Sequence, residues 1–185
     1  MSTRDNIIIL GDELIRHKGY NAFSFYDISR KLGIRNASVH YYFHFKADLA
    51  IAVIRDQRDQ LQKLMLSVAA KSPIQKLKAY FSIYSSAQNC SRVCLVGSLA
   101  TDLHTIDLPV RKELAFLVEE IIEWVIAILE EGKDKSIFDF KGTTRTKALM
   151  IITNMLAAVQ LARLTGEKDF QQIKSTIIRE LKEKL

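Results

Sequence analysis

Chain breakers are scarce in this 185-residue sequence, which has two prolines and seven glycines. So little punctuation excludes a fold of many short strands and favours long helices on short connections. Cysteine is equally sparse. Cys90 and Cys94 stand four apart, which excludes a disulfide-stapled secreted scaffold and points to a cytoplasmic, reducing location. Long apolar runs are missing too. The most apolar stretch, residues 148–162, contains Thr153, Asn154 and Gln160 and falls short of the roughly 20 residues a bilayer requires. It reads as a buried helix, and no membrane is expected as a partner. The N-terminal apolar run 7–10 is short, followed at once by acids, and lacks a small-residue cleavage site, so no signal peptide is expected. With 48% hydrophobic and 26% charged residues, the composition excludes wholesale disorder.

What is present is helical periodicity. Ile7, Leu10, Gly11, Leu14 and Ile15 follow i, i+3, i+4, i+7, i+8, one stripe on a helix ending at Gly19. Ser24 and Asp27 have the spacing of a first-turn cap. Ile28 and Leu32 supply the inner face of a two-turn helix stopped by Gly33. A third short helix is predicted over Asn36–Tyr42, with Val39 and Phe43 pointing inward. Three short helices with a glycine in the tight turn are the layout of a helix-turn-helix. From Lys46 onward the segments lengthen. Helices are predicted from Lys46 to about Ala70, from Pro73 to about Asn89, over Cys94–Leu103, from Pro109 to Glu131, from Thr143 to Leu164 and from Asp169 to Leu185, with a charged loop at Gly132–Gly142. The fold class is therefore all-α with about nine helices. A three-helix domain over 1–48 is joined without a flexible linker to a larger helical domain over 49–185.

Residues 23–49 carry Ser24, Asp27-Ile28, Gly33-Ile34, Asn36–Val39, Tyr41-Tyr42-Phe43, Lys46 and Asp48-Leu49. In that order and without a gap, they resemble the DNA-binding signature of TetR-family regulators. The resemblance covers about a quarter of the chain; the remainder is similar to that family in length and helical layout. His40 stands where the family usually has Tyr, Ala37 where it often has Gly, and Arg35 where Ser or Thr usually caps the recognition helix. An altered base preference is the expected consequence.

The chemistry of the segment points the same way. A helix entering the major groove needs donors and acceptors near its N-terminus, and Arg35, Asn36 and Ser38 supply them: Arg forks onto guanine, Asn onto adenine. The plain alternative is that Arg35 and Asn36 are ordinary surface polars. Tyr41, Tyr42 and His44 can donate to phosphates, and Lys46 at the start of the fourth helix adds charge beside a helix amide terminus; Ser24 and His40 complete the DNA-binding candidates. For Tyr41, packing within the small domain is an equal alternative. The whole chain carries +6 with a pI near 9.3, which suits a polyanion. The first fifty residues hold seven basic and five acidic residues, a formal +2, so any basic stripe must come from arrangement.

Other chemistry finds less support. His40 and His44 share the i, i+4 spacing of metal ligands, as do Cys90 and Cys94, but neither pair has a third ligand nearby, so no metal or cofactor is expected. No nucleophile elbow or phosphate-cradling glycine loop is present, so no catalytic residues are assigned and an enzyme is not expected. Cys94–Leu103 resembles the Cys-Leu stretch opening the sixth helix in one subgroup of the family. Some members of that subgroup answer electrophiles or oxidants through that cysteine.

In the larger domain Phe81, Tyr84, Cys94, Leu99, Phe116, Trp124, Met155 and Gln160 are candidates to line an effector cavity, with plain core as the alternative. Met150, Asn154, Ala158, Leu161, Ile173 and Ile177 on the last two helices are candidates for a homodimer surface. The resulting expectation is a homodimeric repressor that binds a palindromic double-stranded operator and is released by a small-molecule effector or by thiol modification. The fourth helix would act as lever. The alternative is a helical small-molecule or protein-binding module without operator binding.

Overall fold

A computed structural model describes residues 2–89 and 93–182. Among the described residues there are nine α-helices and no strand: α1 Thr3–Lys18, α2 Phe25–Leu32, α3 Asn36–Tyr42, α4 Lys46–Ser67, α5 Pro73–Asn89, α6 Leu95–Thr101, α7 Leu108–Asp134, α8 Thr144–Thr165 and α9 Glu167–Lys182. A single 3-10 turn, Tyr20–Ala22, follows α1. The caps explain several starts. Ser2 and Asp5 exchange hydrogen bonds at the head of α1, with the Ser2 hydroxyl accepting the Asp5 N–H at 3.2 Å and the Asp5 carboxylate accepting the Ser2 N–H at 3.0 Å. Pro73 is the first residue of α5, where its missing N–H is no loss, and Gln75 accepts the Ser72 N–H at 3.1 Å.

Some boundaries differ from those the periodicity suggests. α4 stops at Ser67, where the amides of Val68 and Ala69 fold back onto Leu64, Met65 and Leu66. α7 runs past Gly132 to Asp134, and α9 begins at Glu167, leaving Gly166 alone between the last two helices. Gly132 is required by packing: a Cβ there would lie 1.9 Å from the Phe138 ring. That ring and Phe140 are buried, so the charged segment after α7 contributes core rather than free loop. α8 is 22 residues long and apolar enough by length and composition to cross a bilayer, longer than the 15-residue window suggested. One face of it is nevertheless core: Ala148, Ile151, Ile152, Met155, Ala158, Val159 and Ala162 are buried.

The chain divides into two compact units, Met1–Gln60 with Arg92–Leu117, and Leu61–Ser91 with Val118–Leu185. The expected division at residue 48 instead cuts the first unit near the start of α4. The reason is burial: Leu49, Ala50, Val53 and Ile54 of α4 are as inaccessible as Ile7, Ile15 and Ile28 of the small helices. In addition α6 closes on α1, where the buried Ser98 hydroxyl donates to the Ile15 carbonyl at 2.6 Å. The second unit is centred on Tyr80 and Phe81 of α5, Val125 and Leu129 of α7, Met155 of α8 and Phe170 of α9, all buried.

Candidate nucleic-acid interface

The first unit presents a short exposed helix on a stiff mount. Ser24 stands in extended conformation before α2, and the Asp27 carboxylate accepts both its N–H, at 2.7 Å, and its hydroxyl, at 2.8 Å. Those two bonds hold the Asp27 carboxyl below the usual carboxylate range. At the other end Gly33 has φ +65°, the left-handed conformation that only glycine adopts without strain, and the Ile34 N–H returns to the Ser29 carbonyl at 3.0 Å. The chain thus turns sharply into α3. Val39 and Phe43 are buried and anchor α3.

The remaining side chains of α3 face outward. Arg35, extended and just before the helix, is exposed, as are Asn36 and His40 at i, i+4. Arg35 forms no ion pair among the described residues. Ser38 is half-buried. His40 lies edge-on to Phe25, ring centroids 4.9 Å apart, which fixes its direction. Tyr41 is exposed and Tyr42 partly so; their rings meet edge-on at 5.1 Å. His44 is exposed. Ser24 is exposed as well, but its hydroxyl is committed to Asp27. The structure therefore brings Arg35, Asn36, His40, Tyr41, Tyr42 and His44 together on α3 and the turn after it.

Lys46 departs from the expectation of a free phosphate contact. Its ammonium donates to the Phe23 carbonyl and lies 4.0 Å from the Phe23 ring centroid and 4.8 Å from that of Tyr20. Burial lowers its pKa. Two aromatic faces and a carbonyl outcompete water for this cation, so it clamps α4 to the segment before α2.

Comparisons with known proteins agree with this layout. Residues 7–53 match the sequence model of bacterial regulatory proteins of the tetR family. A TetR transcriptional regulator from Legionella pneumophila is 29% identical, with 98% of each chain covered and a TM-score of 0.89. A TetR-family regulator from Agrobacterium tumefaciens is 26% identical, with 97% of each covered and a TM-score of 0.91. The helix-turn-helix segment of this chain, residues 7–53, is thus that of the tetR family. An uncharacterized HTH-type transcriptional regulator in the lacX 3' region of Lactococcus lactis subsp. lactis is also similar, 29% identical over 126 residues. That match takes in 65% of this chain and 64% of the relative's length.

A feature that the sequence did not reveal ties α6 to this reading head. The Asp102 carboxylate, just past α6, accepts the Tyr20 N–H at 2.8 Å and the Asn21 side-chain amide at 2.9 Å. The same Asn21 amide donates to the Thr105 hydroxyl at 2.7 Å. With Ser98 on Ile15, α6 latches onto the end of α1 and the turn leading to α2. Glu113 of α7 adds ion pairs to Arg55 at 3.2 Å and Arg58 at 3.0 Å, and these hold its pKa down. Nothing in local periodicity marks these long-range partners.

The other candidate sets of this chain are split by the fold. Of the cavity candidates, Cys94, Leu99 and Phe116 belong to the first unit and Phe81, Tyr84, Trp124, Met155 and Gln160 to the second. Phe116 and Gln160 are exposed, because each falls on the solvent side of its helix, one residue before buried Leu117 and one after buried Val159. They are corrected to surface residues. Phe81, Tyr84, Trp124 and Met155 are buried. The Tyr80 ring meets Tyr84 at 5.5 Å and Trp124 at 6.1 Å, and the Tyr80 and Tyr84 hydroxyls share a hydrogen bond of 2.9 Å.

Among the dimer candidates Met150, Asn154 and Leu161 are exposed and Ile173 is half-buried. Ala158 and Ile177 are buried inside their own unit and cannot offer an outer surface. Cys94 sits before α6, where its sulfur accepts the Gly97 N–H at 3.1 Å. Burial raises its pKa despite nearby Arg16, opposite to what a reactive thiolate needs. Cys90 lies outside the described residues. Among the described residues no cluster of three or more His, Cys, Asp or Glu could hold a metal.

Proposed function

We propose that this chain is a homodimeric, sequence-specific DNA-binding repressor that leaves a palindromic operator when a small molecule binds its second unit. The observation that carries this reading is the start of α3. Arg35 and Asn36 are exposed there, while the capped α2, the Gly33 turn and buried Val39 and Phe43 fix the helix that presents them. Outward donors and acceptors on a rigid short helix are what reading base edges in a major groove requires. Tyr41, Tyr42 and His44 extend the face toward the strand backbone.

The outer face of α8, with exposed Met150, Asn154, Ala157, Leu161 and Leu164, supports pairing of two copies. Pairing would set two α3 helices about one DNA turn, roughly 34–36 Å, apart. For the trigger, the buried Tyr80, Tyr84 and Trp124 cluster favours an apolar or aromatic effector. The raised Cys94 pKa weighs against thiol modification as the release step.

The test is selection of binding sequences by the full chain from a random duplex pool. Selected DNA should bind at least about a thousandfold more tightly than random DNA. Asn36→Ala should lose discrimination at one base pair, about 1–3 kcal/mol. Equal affinity of the unaltered chain for selected and random DNA would reject the proposal. Trp124 is the single tryptophan, so a candidate effector seated beside it should change the emission spectrum.

A further inference from the structure

Apart from Phe116 on α7, the large exposed aromatic rings of the first unit fall within residues 26–45. Tyr26 is 63% accessible, Tyr41 77% and Phe45 72%, with Tyr42 partly exposed. The tyrosines carry hydroxyls that justify a place in water. Phe45 does not. Its position is set by the backbone: the Phe45 N–H donates to the Asp48 carboxylate at 2.9 Å and its carbonyl accepts the Asp48 N–H at 3.0 Å, the reciprocal bonding of a helix cap. Buried Phe43 on one side and inward-turned Lys46 on the other leave His44 and Phe45 as the two outward residues of the turn. A solvent-exposed phenyl ring thus stands on a hydrogen-bonded backbone at the head of α4, shortly after the helix proposed to read bases.

We propose that Phe45 is an apolar DNA contact, its ring seated against the nonpolar edge of a strand, the deoxyribose carbons and thymine C5-methyl groups bordering the groove that α3 enters. This rests on the DNA-binding reading above. The neighbouring residues in the chain select the occupant. Arg35, Asn36, Tyr41 and His44, all within ten residues of Phe45 along the chain, are exposed donors on α3 and the turn after it, and an apolar protein surface covering that turn would strip water from these groups without replacing their hydrogen bonds. A DNA strand satisfies them with phosphates and base edges while offering methyl and sugar carbons to the ring.

The contact has a signature that separates it from a charge contact. Phosphate neutralisation releases counterions, so losing one such contact lowers the salt slope by about one, whereas losing an apolar contact leaves the slope alone. The experiment uses the full chain and the duplex it selects from a random pool, with affinity measured across salt concentrations. Phe45→Ala should bind about tenfold more weakly with an unchanged slope, unchanged sedimentation and unchanged thermal unfolding, and Phe45→Leu should recover most of the loss. Replacing thymine by uracil in the duplex distinguishes the two apolar sources. A loss for the unaltered chain that is absent in Phe45→Ala assigns the ring to methyl groups; no effect of uracil assigns it to sugars. Full affinity in Phe45→Ala overturns the proposal, as does a loss accompanied by a lower salt slope or by loss of self-association. Failure of the unaltered chain to select any sequence is a separate outcome that removes the DNA reading itself.

Discussion

Each of the two compact units is held together internally by a different kind of force. In the first, directional bonds recur at each junction: Asp27 on Ser24, Ser98 on Ile15, Asp102 on Tyr20 and Asn21, Glu113 on Arg55 and Arg58, and Lys46 on Phe23. In the second, the centre is aromatic and aliphatic, with Tyr80, Phe81, Trp124, Met155 and Phe170 buried. Its ion pairs, such as Lys76 on Glu131 and Arg145 on Glu119 and Glu123, join neighbouring helices at their edges. The contrast follows from the task each would perform. A reading head must hold exposed polar side chains in one orientation, which nonspecific burial does not specify and hydrogen bonds do. A unit that pairs with a copy and receives an apolar effector needs apolar volume and an apolar outer face.

The contrast is sharpest at two adjacent alanines of the second unit. Ala158 is buried and Ala157 exposed. Ala158→Glu should force an unpaired carboxylate into the core and cost about 3–5 kcal/mol in denaturant unfolding. Ala157→Glu should leave the fold of each copy intact and yield monomers. Sedimentation of Ala157→Glu as a dimer at micromolar concentration would remove the α8 face as the pairing surface.

In the first unit the next largest effect is expected at the latch. Asp102→Ala removes two hydrogen bonds to a charged acceptor and should cost about 2 kcal/mol of stability. It should weaken binding to the selected duplex as well, because the turn it holds leads directly into α2. Wild-type affinity in a variant destabilised by that amount would show that α6 supports the fold without steering the reading head. The smallest effect concerns pH. The folded-state pKa of Asp27 lies below its ordinary value. Its contribution to stability is therefore present above the ordinary carboxylate range and is lost as pH falls through the lower, folded value. Asp27→Asn should lower the melting temperature at neutral pH, and the gap to the unaltered chain should close below about pH 4. A gap independent of pH would mean that the side-chain charge contributes nothing to the cap.

Local pattern was enough for the helices and for the turn into α3. The i, i+3, i+4 stripe of α1, the Ser24 and Asp27 spacing, Gly33 and the inward pair Val39 and Phe43 each act within a few residues, so they can be read in order along the chain. The outward residues of α3 followed from the same period. Which side of a long apolar helix becomes core did not. Phe116 beside Leu117, Gln160 beside Val159 and Ala157 beside Ala158 differ by one position, about 100° of rotation, on helices with apolar residues on more than one face, and the packing of neighbouring helices made the choice. Lys46 and Asp102 show the same limit for polar groups. One looked like a free cation and the other carried no signal, because the partners that decide their roles, Tyr20, Asn21 and Phe23, lie more than twenty residues away from each and meet them only once α1, α4 and α6 have closed on one another. The sequence alone determined where helices begin, turn and end, since those energies are local. The tertiary structure alone decided which side chains remain in water, since that depends on surfaces brought together from distant parts of the chain.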